Sequence, residues 1–501
     1  MSNQKSLKKN FVLNALLTIS SIVFPFITYP YVSRVLGPTG LGKIEFACSN
    51  ISYFSLLAQL GIPTYGVKVC ATVRDNKLEL ARTVYELMLI NLVMTLIAYA
   101  CLVPTLIFVP QIRNEKLLHI VISSTLLFNA IGIEYLYKGL EQYRYITIRS
   151  IAFKFVAFIS MFMLVRSKQD YIIYGGITIF ASSASNIMNF IHSRKVLGVK
   201  VSGKLNCLKH LKPIMIFFAM TCATTIYLNM DKTMLGFMTT EDDVGYYGAS
   251  VKIKAMLVAL ITSLGAVILP RASYYIDHKQ FDEFKRITAK ALRFVFVAAV
   301  PLMVFFIEFS REGILFVSGP EFVDAILPMA ILMPTLLLIG ITNILGIQVL
   351  VPFGKEKYVL YSEIVGAAVD LALNLVLIPR YKATGAAIGT LAAEIAVLIV
   401  QYYFLSGMRK DIAILDTFKT VQYTHIIIAI ILAAPASLWI RFVNIPIMEQ
   451  NSEVHNFILL AFAGITFFGI YYLAMMIAKD QMMLEITNTV LGKIRKRKAS
   501  T

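Results

Sequence analysis

The sequence predicts an all-α integral membrane protein of about fourteen transmembrane helices, and three observations predict it. Apolar stretches of roughly 20 residues, the length that crosses the hydrocarbon core, recur from one end of the chain to the other. Hydrophobic residues make up 58% of the 501, charged residues only 15%, and the mean hydropathy is +0.72. A water-facing surface cannot be built from that mixture, and no long polar block marks an attached soluble domain. Lysine and arginine, finally, alternate in abundance from one short loop to the next.

The stretches fall at 11–33, 44–62, 84–109, 118–137, 147–165, 171–193, 213–235, 246–269, 289–309, 325–351, 358–378, 384–406, 424–443 and 455–478. The first follows Lys5, Lys8 and Lys9 and runs apolar through Tyr31. That is too long for a secretory h-region and no A-x-A site follows, so a retained helix is expected. Pro25, Pro30, Pro104, Pro301, Pro334 and Pro435 lie inside spans, where proline kinks a membrane helix.

With the N-terminus in the cytoplasm, 32 of the 47 lysines and arginines fall in or at the edges of inside loops and 10 at outside loops. The other five (Lys154, Lys232, Lys252, Lys254 and Arg293) lie within spans. Such a bias is what the positive-inside rule predicts, so both termini are expected in the cytoplasm and the number of spans is expected to be even. The acidic loops around Glu241-Asp242-Asp243 and from Glu312 to Asp324 suit the outer face.

An internal repeat runs through this pattern. Leu36-Gly37, Gly42 and Ser49 after the first span match Leu235-Gly236, Gly245 and Ser250 after the seventh. Gly139-x-Glu141-x-Tyr143 after the fourth matches Gly354-x-Glu356-x-Tyr358 after the tenth. Both matches are offset by six helices, an even number, so the two halves enter the membrane in the same sense. The expectation is two pseudo-symmetric six-helix lobes, 1–212 and 213–410, with a cavity between them. Residues 411–501 then hold a further helix pair and a basic cytoplasmic tail.

Several function classes are excluded. The net charge of +18 is spread over short loops that face lipid headgroups, so no nucleic-acid partner is expected. The five cysteines and six histidines are scattered, with no C-x-x-C, H-x-x-x-H or H-E-x-x-H, so neither a metal nor a disulfide framework is expected. There is no G-x-G-x-x-G, P-loop or serine triad, every outer loop is short, and neither a cofactor nor an enzyme is expected.

The stretch Arg34, Leu36-Gly37-Pro38, Gly40, Gly42 to Phe46 resembles the first loop of the polysaccharide (O-antigen or capsule, Wzx-type) flippases. These share a superfamily with the MATE drug exporters and the lipid II flippases. Tyr53-Phe54 with Leu60-Gly61-Ile62-Pro63, Tyr65-Gly66 continues the likeness. So do Gly139-Leu140-Glu141 with Tyr145-Ile146-Thr147, and Asp231-Lys232, Met234-Leu235-Gly236 with Val244-Gly245-Tyr246-Tyr247 and Lys252. Leu269-Pro270-Arg271 and Pro379-Arg380-Tyr381 with Gly385-Ala386-Ala387 complete it, over about 10–410. Glu134-Tyr135 stands where the family pattern has an acid followed by Trp, and no family motif occurs past about 410. The resemblance implies a MATE-like bundle, alternating access, and export of undecaprenyl-pyrophosphate-linked oligosaccharide for a surface polysaccharide. The location it implies is the bacterial inner membrane, with the polysaccharide polymerase machinery as a partner.

Moving a sugar-pyrophosphate through hydrocarbon needs a watery, cationic cavity for the headgroup and a lateral opening for the tail. Cations within or beside spans are therefore headgroup candidates: Arg34, Lys154, Lys232, Lys252, Lys254 and Arg271. For Arg34, Lys232 and Arg271, snorkelling to the interface is cheap and is the plainer account of the charge. Acids in spans are candidates for coupling to a proton or sodium ion: Asp231, Glu134, Asp370 and Glu394. A helix-to-helix hydrogen bond is the plainer account, and Asp370 has Asn374 one turn away. The alternative to a flippase is a MATE-like exporter of small cationic drugs, whose cavity should be dominated by acids. Gly385, Gly389 and Ala393 repeat a small residue every four positions and predict close helix packing.

Overall fold

A computed structural model of the chain describes residues 2–199, 205–263, 265–407, 414–442 and 453–488. Among these residues every regular element is a helix. Eight helices are individually long and apolar enough to cross a bilayer, and the bent pair Pro320–Leu332 and Thr335–Leu350 makes a ninth if counted as one span. The protein is an all-α multi-pass membrane protein. Part of the predicted inside loop, 200–204, and the basic tail from 489 lie outside the described residues.

Two predicted pairs of spans share a helix. The first pair lies in α1 (Ser2–Gln59), and the pair 358–378 with 384–406 lies in Glu356–Gly407. A straight helix of 58 residues would reach ~87 Å, nearly three times the hydrocarbon thickness of ~30 Å. Single non-helical residues break each instead: Gly37 (φ 67°, ψ −179°) and Lys382 (φ 52°, ψ −129°). After α1 come α2 (Ile62–Thr72), α3 (Lys77–Phe108), α4 (Lys116–Ile131) and α5 (Tyr143–Leu164). The Asn76 side chain caps α3, accepting from the Leu78 and Glu79 amides at 3.2 Å. Next are α6 (Leu208–Met238), α7 (Glu241–Thr262), α8 (Gly265–Asp277), α9 (Phe281–Glu308), α10 (Glu356–Gly407), α11 (Tyr423–Leu438) and α12 (Glu453–Ile477). The predicted span at 171–193 carries a π-bulge at Phe180–Ala184, and that at 325–351 ends in one at Ile344–Leu350.

Four helix ends close in the same way. A residue at positive φ (Glu141, Lys279, Gly354 or Lys479) reverses the backbone. The next amide then reaches back five residues: Gln142 to Tyr137, Gln280 to Tyr275, Lys355 to Leu350 and Asp480 to Met475, at 2.8–3.0 Å. This pairing satisfies carbonyls that the last turn leaves orphaned. All four sit at turns that the charge bias assigns to one face.

The chain divides into two compact units, Met1–Gly248 and Ala249–Thr501. In the first, α1 is the organising helix and packs against α3, α4, α5 and α6. Leu60, Ile62, Val84, Leu87, Tyr135 and Tyr137 form a core there. In the second, α11 and α12 pack on each other and on α9 through Phe305, Phe309, Ala429, Ala433, Ala463 and Phe467. The C-terminal pair is thus seated on a helix of the second unit. Leu96, Phe108, Ile399, Ile431, Ile465 and Ile477 are each more than 60% exposed, an aliphatic exterior that lipid covers.

Candidate functional site

The polar groups of the first unit collect where α6 and the start of α7 meet the second half of α1. Successive residues on a helix point about 100° apart, so neighbouring charges on α6 meet different partners. Lys232 Nζ pairs with Glu45 Oε2 on α1 at 2.6 Å. Asp231, buried, accepts a hydrogen bond from the Tyr247 hydroxyl on α7. One residue on, Thr233 Oγ1 donates to the Asn229 carbonyl at 3.0 Å and lies 3.1 Å from Ser49 Oγ and 3.4 Å from Tyr53 OH. Lys232 therefore does not snorkel: a carboxylate within reach on α1 satisfies it at lower cost than extension to the interface.

Toward the turn at Gly37 the helices touch backbone to backbone. A Cβ on Gly42 would stand 1.7 Å from the Glu241 carbonyl oxygen, and one on Gly245 would stand 2.1 Å from that of Pro38. Only glycine allows this approach. Thr39 Oγ1 donates to Asp242 Oδ1 at 2.5 Å beside it, and Lys43 pairs with Glu115 at 2.5 Å.

Away from that closure the same helices part. A cleft of about 310 Å³ opens between α1, the start of α2 and α6. Ser52, Ser55, Gln59, Thr64, Thr225 and Asn229 give it hydroxyls and amides, and no charged side chain lines it. Such walls donate and accept in equal measure, so they suit a neutral guest rich in hydroxyls.

The other candidates are dispersed. Arg34 Nη1 donates to the Pro30 carbonyl at 2.6 Å. Lys154 Nζ on α5 donates to Ser20 and Ser21 of α1 at 3.1 and 2.7 Å. Glu134 pairs with Lys138 at 2.9 Å and with buried Arg149 at 3.4 Å. In the second unit Lys252 and Lys254 are half-buried on α7, and Arg271 is exposed on α8. Asp370 accepts from Asn374 Nδ2 at 3.2 Å, the partner its spacing predicts, and Glu394 is buried on the same helix. Of the named residues, then, the structure brings Asp231 and Lys232 into one polar layer.

Two networks lie beyond the sequence reading. Glu86, fully buried on α3, accepts from the Asn206 amide at 2.8 Å and bonds Lys209 at 2.8 Å and His210 Nε2 at 2.9 Å. His210 Nδ1 in turn meets the Tyr65 hydroxyl at 2.8 Å. Arg441 grips Glu312 with two contacts, at 2.8 and 2.9 Å. Glu86 and His210 lie 124 residues apart, so the only local signal was an acid inside an apolar window.

Apolar helices on a lipid-facing exterior, with charge pairs and a hydroxyl-lined cleft turned inward, define a polytopic membrane protein. The family described as polysaccharide biosynthesis protein matches residues 7–276, and the chain belongs to it. It is 25% identical over 415 residues to a protein of Escherichia coli (strain K12) named for O-antigen transport, across 81% of this chain and 99% of that one. Its fold is similar to that of the lipid II flippase MurJ in an inward closed conformation, with 14% identity and a TM-score of 0.62 over 91% of this chain and 99% of that one. A multidrug resistance MATE family transporter in an inward-facing conformation matches at 13% identity and TM-score 0.61, over 82% and 99%. The flippase resemblance read from Arg34 to Gly66 and from Asp231 to Tyr247 therefore holds. The relatives named here are transporters and flippases, not catalysts.

Proposed function

We propose that the protein flips undecaprenyl-pyrophosphate-linked oligosaccharide repeat units across the bacterial inner membrane for a surface polysaccharide, by alternating access of lobes 1–212 and 213–410. In this reading fourteen helices cross the bilayer with both termini cytoplasmic. The observation that carries it is the cleft between α1 and α6. Seven uncharged polar side chains, from Ser52 to Asn229, face a volume of about 310 Å³ inside a bundle whose exterior is aliphatic. Sugar hydroxyls trade their water for those groups without leaving a buried donor or acceptor unmet. The pyrophosphate needs cations, and Lys252, Lys254, Lys154, Arg34 and Arg271 are assigned to it because guanidinium and ammonium donors match phosphate oxygens. Lys232 is assigned to the path through its pair with Glu45. The polyprenyl tail never leaves lipid, so no hydrocarbon has to cross a polar chamber.

Access to the opposite side requires that the contact of Gly42 with Glu241 and of Gly245 with Pro38 open. Asp231, Glu134, Asp370 and Glu394 are assigned to the coupling proton or sodium ion as carboxylates placed within or beside the spans. An exporter of small cations fits the cleft poorly, since none of its lining residues is an acid. Deleting the gene and analysing membrane lipids tests the reading: the lipid-linked oligosaccharide should accumulate on the cytoplasmic leaflet and surface polymer should be lost. Undiminished export would overturn it. Lys252→Ala and Lys254→Ala should each abolish export while the protein still inserts in the membrane.

A further inference from the structure

A second hollow, of about 710 Å³, opens in the second unit between the middle of α8, the first turns of α9, the turn Ile414–Thr420 and the segment that follows α12. Five cations line it: Arg271 from α8, and Lys285, Arg286, Lys290 and Arg293 from α9. Arg286, Lys290 and Arg293 recur at spacings of four and three, which puts them on one stripe of the helix. Against them stand two carboxylates, and both are engaged. Asp416 bonds Lys419 at 2.9 Å, and Glu485 pairs with Lys290. Arg286 pairs with Glu283 at 2.6 Å, and Arg293 donates to the Gln481 amide oxygen at 2.7 Å. Among the described residues no ion pair engages Arg271 or Lys285. The lining therefore keeps a positive excess in a cleft large enough for a small polar headgroup.

Its position is equally informative. Beyond Arg293, α9 runs straight into Phe294-Val295-Phe296-Val297, so the cations sit where the helix leaves hydrocarbon. The last turns of α12 leave Leu473 and Ile477 facing lipid, at 59% and 82% exposure. A guest there can keep its phosphate in the cleft and its acyl chains in the bilayer. Basic pockets between helices at the cytoplasmic face are suited to acidic headgroups, and arginine forks match phosphate oxygens in pairs. Apart from Arg271, these cations lie outside the stretch 7–276 that the family matches.

We propose that this cleft binds the phosphate headgroup of an anionic phospholipid of the adjoining leaflet and ties α8 and α9 to the segment after α12. The leaflet is the cytoplasmic one on the orientation proposed above; the binding is carried by Lys285, Arg286, Lys290 and Arg293 of α9 and does not need Arg271, which is assigned to the transported headgroup. Free phosphate offers the same kind of anionic oxygens but no tail, and in an open cleft it is held more weakly.

The test uses the full-length protein in neutral detergent. It is titrated with short-chain phosphatidylglycerol, phosphatidylcholine of equal chain length, and inorganic phosphate, and read by native mass spectrometry and thermal unfolding. Saturable retention of phosphatidylglycerol over phosphatidylcholine is expected. Lys285→Gln/Arg286→Gln should weaken it on the order of 25-fold, about fivefold per charge removed. The charge-conserving Lys285→Arg/Arg286→Lys should bind like the parent, which separates lost binding from lost folding. Lys68→Gln/Lys77→Gln, two exposed lysines of the first unit, removes equal charge and should change nothing. Equal binding of the two lipids would overturn the proposal, as would equal losses in the two neutralised variants. Inorganic phosphate competing as tightly as phosphatidylglycerol would also overturn it, assigning the cleft to a soluble anion.

Discussion

Replacing Lys232 by methionine keeps the length of the side chain and strips its charge, leaving Glu45 without the ammonium that sits 2.6 Å away. Both side chains are about one-fifth exposed, at 19% and 22%, between the limits for which costs are known. Breaking a fully buried pair costs ~3–5 kcal/mol, whereas a surface pair contributes ~0–1 kcal/mol. An intermediate loss of about 2 kcal/mol is expected for Lys232→Met, and the same for Glu45→Met, with most of it arising from the charge left behind. Removing both leaves no orphan, so the double variant should lose much less than the sum, giving a coupling of about 1–2 kcal/mol. Unfolding free energies from SDS titration in mixed micelles measure the cycle. The swap Lys232→Glu/Glu45→Lys should recover most of the stability. Additive losses, or single variants as stable as the parent, would refute the idea that this pair holds α6 to α1.

Further consequences can be checked separately. Gly389→Ala places a methyl 2.3 Å from Asn374 Oδ1 and 2.8 Å from Asp370 Oδ1, so a loss of about 1–3 kcal/mol is expected by thermal unfolding. Adding Asn374→Ala should relieve it. Phe467→Ala empties a ring that is fully buried and 5.4 Å from that of Phe305, and should cost about 3–5 kcal/mol and loosen the C-terminal helix pair from α9. Because lipid is as apolar as the core, that loss reflects packing rather than exposure to water. In a cysteine-free background, Asp242→Cys should react with an impermeant thiol reagent from outside and Asn206→Cys only after the membrane is opened; the reverse would overturn the orientation taken from the charge bias.

How much of this was legible depended on distance along the chain. The apolar windows, the breaks at Gly37 and Lys382 that fall between predicted spans, and the Asp370–Asn374 bond all lie within a few residues, where hydropathy and helical spacing speak directly. The orientation of Asp231 and Lys232 toward different neighbours was legible too, because it follows from helix geometry alone. The identity of those neighbours was not. Glu45 is 187 residues from Lys232, and Tyr65, Glu86 and His210 converge from three helices. Nor did the sequence mark the cleft, since serines, threonines and amides at span edges look the same whether they face lipid, protein or water.

Sequence alone determined that this chain lives in a membrane, because the bilayer acts on each twenty-residue window separately and requires each to satisfy its own backbone. The family resemblance was likewise carried by short runs of residues. Only the tertiary structure decided which charges are paired, which polar groups face a shared hollow, and that the C-terminal helices are seated on α9. Those outcomes depend on which helices touch, and in lipid that choice is made by shape and by the need of each buried polar group for a partner, neither of which is a property of one segment.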